Sequence, residues 1–158
     1  MRKLWAIGLS AAIFLVSLSF APREDMPTAD AGEFWGFITK SSPYKEWNFW
    51  DDHADMQPGR APHGPFHRVY VNDILLNADG VPAPYGSIQV KESFNNDKQL
   101  MNITVMYKLK DFNPSAGDWW WAKYDLDGKA GPAGKVQGCI GCHGVRADND
   151  YILVHDLK

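Results

Sequence analysis

The chain has 158 residues, 22% charged and 45% hydrophobic, with 16 Lys and Arg against 19 Asp and Glu and a formal net charge of −3. That balance, with no clustered basic stretch, excludes a protein built on a nucleic-acid-binding patch. Seven Trp, six Tyr and eight Phe are many for this length. Such a count suits either a small core that buries area with aromatics or a fold that wraps a large flat cofactor.

In chain order, Arg2 and Lys3 precede an apolar run from Leu4 to Phe20 broken only by small or hydroxyl residues, the layout of a secretory signal. Residues 1–21 are read as that signal, with Ser19-Phe20-Ala21 as the small-x-small cleavage pattern. The run also approaches the roughly 20 residues of a membrane helix, so an uncleaved anchor stays open, and no second segment is apolar enough to cross a membrane. Removing residues 1–21 leaves 14 basic against 19 acidic residues, a charge of about −5. Residues 22–30 read as a flexible lead and residues 31–158 as one domain with a single core.

Thr28 or Asp30 can cap a short helix from Ala31 to Thr39, and Ser42-Pro43 opens a second around Tyr44 to Trp47. From Asp51 to Pro65 the composition turns to Asp, His, Pro and Gly, which is a loop. Strands are expected at Phe66 to Val71, Ser87 to Glu92, Met101 to Leu109 and Trp119 to Tyr124, separated by turn chemistry at Asp79-Gly80, Asn95-Asn96-Asp97 and Asp127-Gly128. A helical segment follows from about Lys135 to His143, then a short extended piece at Tyr151 to Val154. The fold class is α+β: an antiparallel β-sheet with short peripheral helices and a C-terminal attachment segment.

That segment carries the chemistry. Cys139-Ile140-Gly141-Cys142-His143 spells C-x-x-C-H, and the chain has no other cysteine. Two thiols at this spacing can add across the two vinyl groups of one haem while the adjacent imidazole reaches the iron, so one turn both anchors and ligates the cofactor. A thioredoxin-like C-x-x-C belongs early in a βαβ unit, and no such unit follows here. A zinc site needs four ligands, and this motif supplies three crowded into five residues. One covalent haem c is the expected cofactor, with Cys139 and Cys142 as anchors and His143 as iron ligand. Haem attachment of this kind takes place outside the cytoplasm in bacteria, in agreement with the N-terminal signal and a periplasmic or otherwise exported protein.

The chain resembles the cytochrome P-460 family and its relatives, the β-sheet cytochromes c-prime. The resemblance rests on Arg68-Val69-Tyr70-Val71-Asn72, on Gly86-Ser87-Ile88-Gln89-Val90-Lys91-Glu92, on Gly117-Asp118-Trp119-Trp120-Trp121, and on the haem motif followed by Asp150-Tyr151-Ile152-Leu153. It implies a five-coordinate haem with His143 proximal and an open distal pocket between sheet and haem. In the branch that oxidises hydroxylamine it also implies a strand lysine bonded to the haem edge, which falls on Lys91. The family's distal arginine falls on His67 and its glutamate on Met106. Both are departures, and the missing glutamate sets the oxidase chemistry in question.

Strand alternation is an independent reading of the same residues. Met101, Ile103, Val105, Tyr107 and Leu109 form one apolar face, so Asn102, Thr104, Met106 and Lys108 point the other way, and Ile88 and Val90 oppose Ser87, Gln89 and Lys91. On a sheet with one wet face Lys91 would be an ordinary solvated lysine. His67 reads as a structural imidazole, a distal base or an iron ligand. His53 and His63 sit in the Pro/Gly loop where they would line the haem edge, and His155 lies in the tail. Met26, Met56, Met101 and Met106 are core fillers or sixth ligands, and Asp125-Leu126-Asp127-Gly128 is a turn without the later ligands of a calcium loop.

Three functions are expected from these residues. An open iron face would bind nitric oxide or hydroxylamine, oxidise it and pass electrons to another cytochrome. The same face could capture nitric oxide without turnover. A six-coordinate iron would carry electrons only. Whether the chain is an enzyme stays open, as does its state as monomer or homodimer.

Overall fold

The computed structural model describes residues 26–157. The expected signal or anchor, residues 1–21, and the first part of the lead lie outside the described residues. Among the described residues no helix is long and apolar enough to cross a membrane.

The centre is a six-stranded antiparallel sheet whose spatial order is its chain order. Its strands are β1 (Gln57–Pro58), β2 (Phe66–Val71), β3 (Ile88–Phe94), β4 (Leu100–Lys108), β5 (Trp119–Tyr124) and β6 (Ala130–Gly134). Three short helices accompany it: α1 (Ala31–Gly36), α2 (Asp73–Leu76) and α3 (Gln137–His143). The α+β class and the four long strands agree with the sequence reading to within one or two residues at their ends. Both edge strands lacked a signal. β1 is two residues long, and Ala130-Gly131-Pro132-Ala133-Gly134 has no alternating side chains to read, its proline being tolerated because the strand is an edge.

At the start of the domain Asp30 caps α1 by accepting the Glu33 N–H at 2.8 Å, and Thr28 donates its hydroxyl to the Glu33 carboxylate at 2.6 Å. The expected helix does run on through Thr39, widened after Gly36 into a π-helical stretch, Phe37–Ser41. A single 3-10 turn, Tyr44–Glu46, stands where the second helix was expected. Asn72 ties the crossover between β2 and β3. Its side chain accepts from the N–H groups of Leu75 and Ile88 and donates to the Gly86 carbonyl, which caps α2 and closes the sheet end.

The sheet has two dry faces. On one, Ile88 and Val90 of β3, Ile103, Val105 and Tyr107 of β4, and Trp120, Ala122 and Tyr124 of β5 pack with Phe34 and Ile38. On the other, Val69, Val71, Met106, Trp119 and Trp121 pack with Leu75, Ile152 and Leu157. Seven residues of β3 are consequently buried or half-buried in succession, and the second face is not the solvated one that a half-exposed sheet would show.

The expected extended piece at Tyr151 to Val154 is corrected: it is a tight turn. Asp150 and Tyr151 both have left-handed φ, +52° and +66°. The Asn149 side chain donates to the carbonyls of Ile152 and His155 and accepts the Leu157 N–H, bonds that wrap the tail around it. Asp150 is held from the sheet. Lys108 on β4 donates to its carboxylate at 2.6 Å, with both residues under 5% exposed, while Ala83 N–H donates to the same carboxylate and Trp119 Nε1 to the Asp150 carbonyl, each at 2.8 Å.

A buried charge stranded by loss of its partner costs about 3–5 kcal/mol, whereas removing both charges leaves little penalty. Asp150→Asn keeps the left-handed residue and most hydrogen bonds and should lower unfolding free energy in urea by about 3 kcal/mol. Lys108→Met should do about the same, and the double variant should lose much less than the sum. Additive losses would show that the two charges do not act as a pair.

Candidate functional site

The site begins with α3. Residues 139, 142 and 143 are three and four apart, so one turn brings Cys139, Cys142 and His143 to one side of the helix. Cys139 is half-buried and Cys142 exposed; neither is in a disulfide, and burial pushes the Cys139 thiol up. His143 is buried, at 8% exposed, beside Trp121, whose ring meets it edge-on at 4.7 Å.

The tautomer of His143 follows from its partner. Nδ1 lies 2.8 Å from the Tyr151 carbonyl oxygen, which can only accept, so Nδ1 carries the proton and donates it. Nε2 is left as a bare lone pair, the form in which an imidazole ligates a metal. Tyr151 offers that carbonyl because Asp150 is pinned to Lys108 and Trp119. A buried ion pair thus aims the histidine of the motif.

His143, Cys139 and Cys142 line a cavity of about 230 Å³ between α3 and the second sheet face. The sheet side is built in cross-strand rows. Gln89, Met106 and Trp121 are opposite one another on β3, β4 and β5, and the next row is Lys91, Thr104 and Lys123. Pro62 and His63 of the loop before β2 also line it. A larger groove of about 570 Å³ lies between Phe37–Trp47 and Asn72–Ile74, but it has no Cys, His or Lys in its wall. Chemistry rather than size selects the smaller one.

Lys91 lines this cavity and forms no ion pair among the described residues. Burial, and then the Arg60 charge, lower its amine to about 8, so a nucleophilic neutral amine is accessible near neutral pH. Glu92 points to the opposite core, where the Tyr44 hydroxyl and the Lys45 ammonium each bond it at 2.8 Å. Alternation therefore separates the two neighbours completely.

His67 is on the same face as Lys91, opposite Ser93, and only 5% exposed. It does not line the cavity. Its Nε2 lies 2.7 Å from His53 Nε2, with the rings stacked at 4.9 Å, so one imidazole donates and the other accepts. Met106 lines the cavity, 3% exposed, and its sulfur accepts from the Gln89 amide at 3.6 Å. His155 stacks on Trp50 at 4.6 Å and pairs with Asp52, apart from the site.

Sequence reasoning set Gln89, Thr104 and Asn102 on this face without giving them a role, and did not reach Trp121 or Lys123. Extending the alternation across to β5 was the available signal. Of the two loop histidines expected at a haem edge, His63 lines the cavity, its ring centroid 6.4 Å from that of His143, and His53 does not.

A protein-family model described as Cytochrome P460 matches residues 41–154. No curated protein matches the chain. The family implies a haem, and the cavity fits one: a thiol pair and an imidazole with a free Nε2 form one wall, and two cationic side chains stand within it for acidic substituents. Gln89 Oε1 and Trp121 Nε1, both in the wall, are buried without a hydrogen-bond partner among the described residues, which marks a space shaped for something else.

The histidine pair behind the cavity makes the fold acid-sensitive. Burial, followed by the charges of Lys91, His53 and His63, holds His67 down at about 4. An unfolded histidine takes up its proton near 6.5, so between about 4 and 6.5 the unfolded chain binds more protons and stability falls as pH drops. His67→Gln keeps a hydrogen-bonding side chain without titrating. Urea unfolding at neutral pH and near pH 4 should show the acid loss reduced by about 2 kcal/mol in this variant. An unchanged loss would assign the sensitivity to other groups.

Proposed function

Because the chain belongs to the cytochrome P460 family and turns a free imidazole nitrogen and both its thiols into one cavity, we propose that it is an exported c-type cytochrome binding small nitrogen compounds. It holds one haem through thioethers to Cys139 and Cys142, with His143 as the iron ligand. The bound group supplies an iron that takes nitric oxide or hydroxylamine and stores an electron for transfer. The chain's own part is positional. Asp150 and Tyr151 hold the His143 proton on Nδ1, Trp121 meets its ring edge-on, and the Gln89 and Lys91 rows form the sheet side of the pocket.

Capture rather than turnover is supported by the absence of a carboxylate from the cavity wall among the described residues. Oxidation of hydroxylamine releases protons with its electrons and needs a base within hydrogen-bonding reach. Met106 cannot serve, and His67 already shares a proton with His53. The proposed main activity is therefore nitric oxide binding, with slow hydroxylamine turnover and electron exchange with another cytochrome. A periplasmic location, with the N-terminal segment cleaved or kept as an anchor, accompanies it. Lys91, an unpaired amine in the wall, is the residue proposed to bond the haem edge.

Acid denaturation followed by organic extraction tests the attachment. Haem should stay with the polypeptide, and haem in the solvent layer would end the c-type reading. Lys91→Ala should shift the main absorption band and lower the number of haem–protein bonds seen by mass spectrometry of haem peptides. Two thioethers and identical spectra in both proteins would return Lys91 to a purely electrostatic role.

A further inference from the structure

The open side of the cavity follows from the backbone partner of His143. The second sheet face carries four cross-strand rows: Lys108 and Trp119; Gln89, Met106 and Trp121; Lys91, Thr104 and Lys123; and Ser93 and Asn102. Successive rows are about 7 Å apart along the strands. His143 packs on Trp121 of the second row, and its Nδ1 points to the Tyr151 carbonyl, which Asp150 tethers to Lys108 and Trp119 of the first. Nε2 leaves an imidazole on nearly the opposite side from Nδ1. It therefore points along the strands toward the third and fourth rows, where Lys91, Thr104, Lys123 and Asn102 all line the cavity.

Those four side chains are hydrogen-bond donors, and two of them are cations. Neither Lys91 nor Lys123 forms an ion pair among the described residues. The Lys91 charge acts on His53, His63, His67 and His143, that of Lys123 on His63 and Cys139, and Arg60 adds its own at Lys91. Positive potential thus reaches every wall of the cavity, with no carboxylate in the wall among the described residues to offset it. Lys91, Lys123 and Arg60 also outnumber the pair of acidic substituents that a haem brings. A cleft lined by one sign of charge concentrates ions of the other.

We propose that the ligand this cavity selects is nitrite, held at the open face beyond Nε2 with Lys91 and Lys123 donating to its oxygens, and that the chain serves its reduction to nitric oxide. This rests on the haem reading above. Nitrite takes up one electron and two protons, breaks one N–O bond, and leaves as nitric oxide and water; the electron is the one delivered by the partner cytochrome. This reaction consumes protons where hydroxylamine oxidation releases them, so the want of a carboxylate base that slows the second does not hinder the first. The protons enter through the Lys91 N–H, which solvent can recharge because the side chain is only half-buried. A bond from Lys91 to the haem edge leaves its nitrogen one N–H, and the exposed Lys123 keeps the charge that draws the anion in.

The test uses the purified full chain with haem attached. Optical titration of the ferric protein with nitrite should show binding that weakens as salt is added, as for an anion drawn by partly exposed lysines. Lys123→Glu should weaken nitrite about tenfold relative to imidazole, a neutral ligand of the same iron, and Lys123→Arg should restore it. Anaerobic mixing of the ferrous protein with nitrite should produce a nitrosyl signal in electron paramagnetic resonance. Lys91→Ala should slow its appearance about tenfold relative to carbon monoxide binding. Nitrite affinity indifferent to both salt and Lys123, or a ferrous spectrum unchanged in excess nitrite, would each overturn the proposal. The wild-type salt dependence and nitrosyl signal decide it even where a variant fails to accumulate. Mass spectrometry of the same sample separates the two levels: a chain without covalent haem defeats the cytochrome reading itself, whereas a haem-bearing protein that binds nitric oxide but not nitrite defeats only this inference.

Discussion

The buried ion pair between Lys108 and Asp150 is the interaction on which the site depends. A buried charge pair is rarely worth more to stability than apolar side chains of the same volume, and its use lies in specifying geometry. Here it draws the C-terminal turn onto β4 and β5, with Trp119 adding a hydrogen bond and its ring face 5.0 Å from the ammonium. Asp150 thereby enters a left-handed conformation, and the next residue turns its carbonyl toward His143. Charge on a central strand is converted, through two residues of backbone, into the protonation pattern of one imidazole.

The sheet divides its labour by alternation. One face is a conventional aromatic and aliphatic core under α1, in which Phe34 meets Tyr107 and Trp120 at about 5 Å. The other is apolar only toward its Trp119 end and becomes polar along the rows of Gln89 and Lys91. A polar row on a covered face leaves groups without partners, and the protein tolerates several of them there. Such unsatisfied atoms next to a thiol pair mark where burial is completed by a cofactor rather than by the chain.

Electrostatics inside the cavity are uniform in sign. Two lysines and a loop imidazole line it together with the motif, and carboxylates are confined among the described residues to positions outside its wall. Burial and mutual repulsion keep His53, His63 and His67 uncharged at neutral pH, because each would add positive charge near Lys91. The neighbourhood is suited to holding neutral or anionic ligands and acidic haem substituents, and poorly suited to accepting released protons.

Sequence alone determined the C-x-x-C-H motif, the class of fold, the four long strands and the residues sharing a face with Lys91. Each depends on local chemistry: a five-residue spacing, a period of two, or a turn residue at its own position. Edge strands of Gly, Ala and Pro left no periodic trace, and the Tyr151 to Val154 segment has apolar residues that read as extended until Lys108, 42 residues upstream, imposes a turn. Tertiary structure alone decided that both faces of the sheet are packed against other elements, which leaves Lys91 half-buried in a cavity wall. It also decided which histidines meet. His67 spends its ring on His53, 14 residues away, while His63 faces His143 across 80 residues of chain. Pairings at such separations are set by strand register and loop closure, and no local pattern in the chain encodes them.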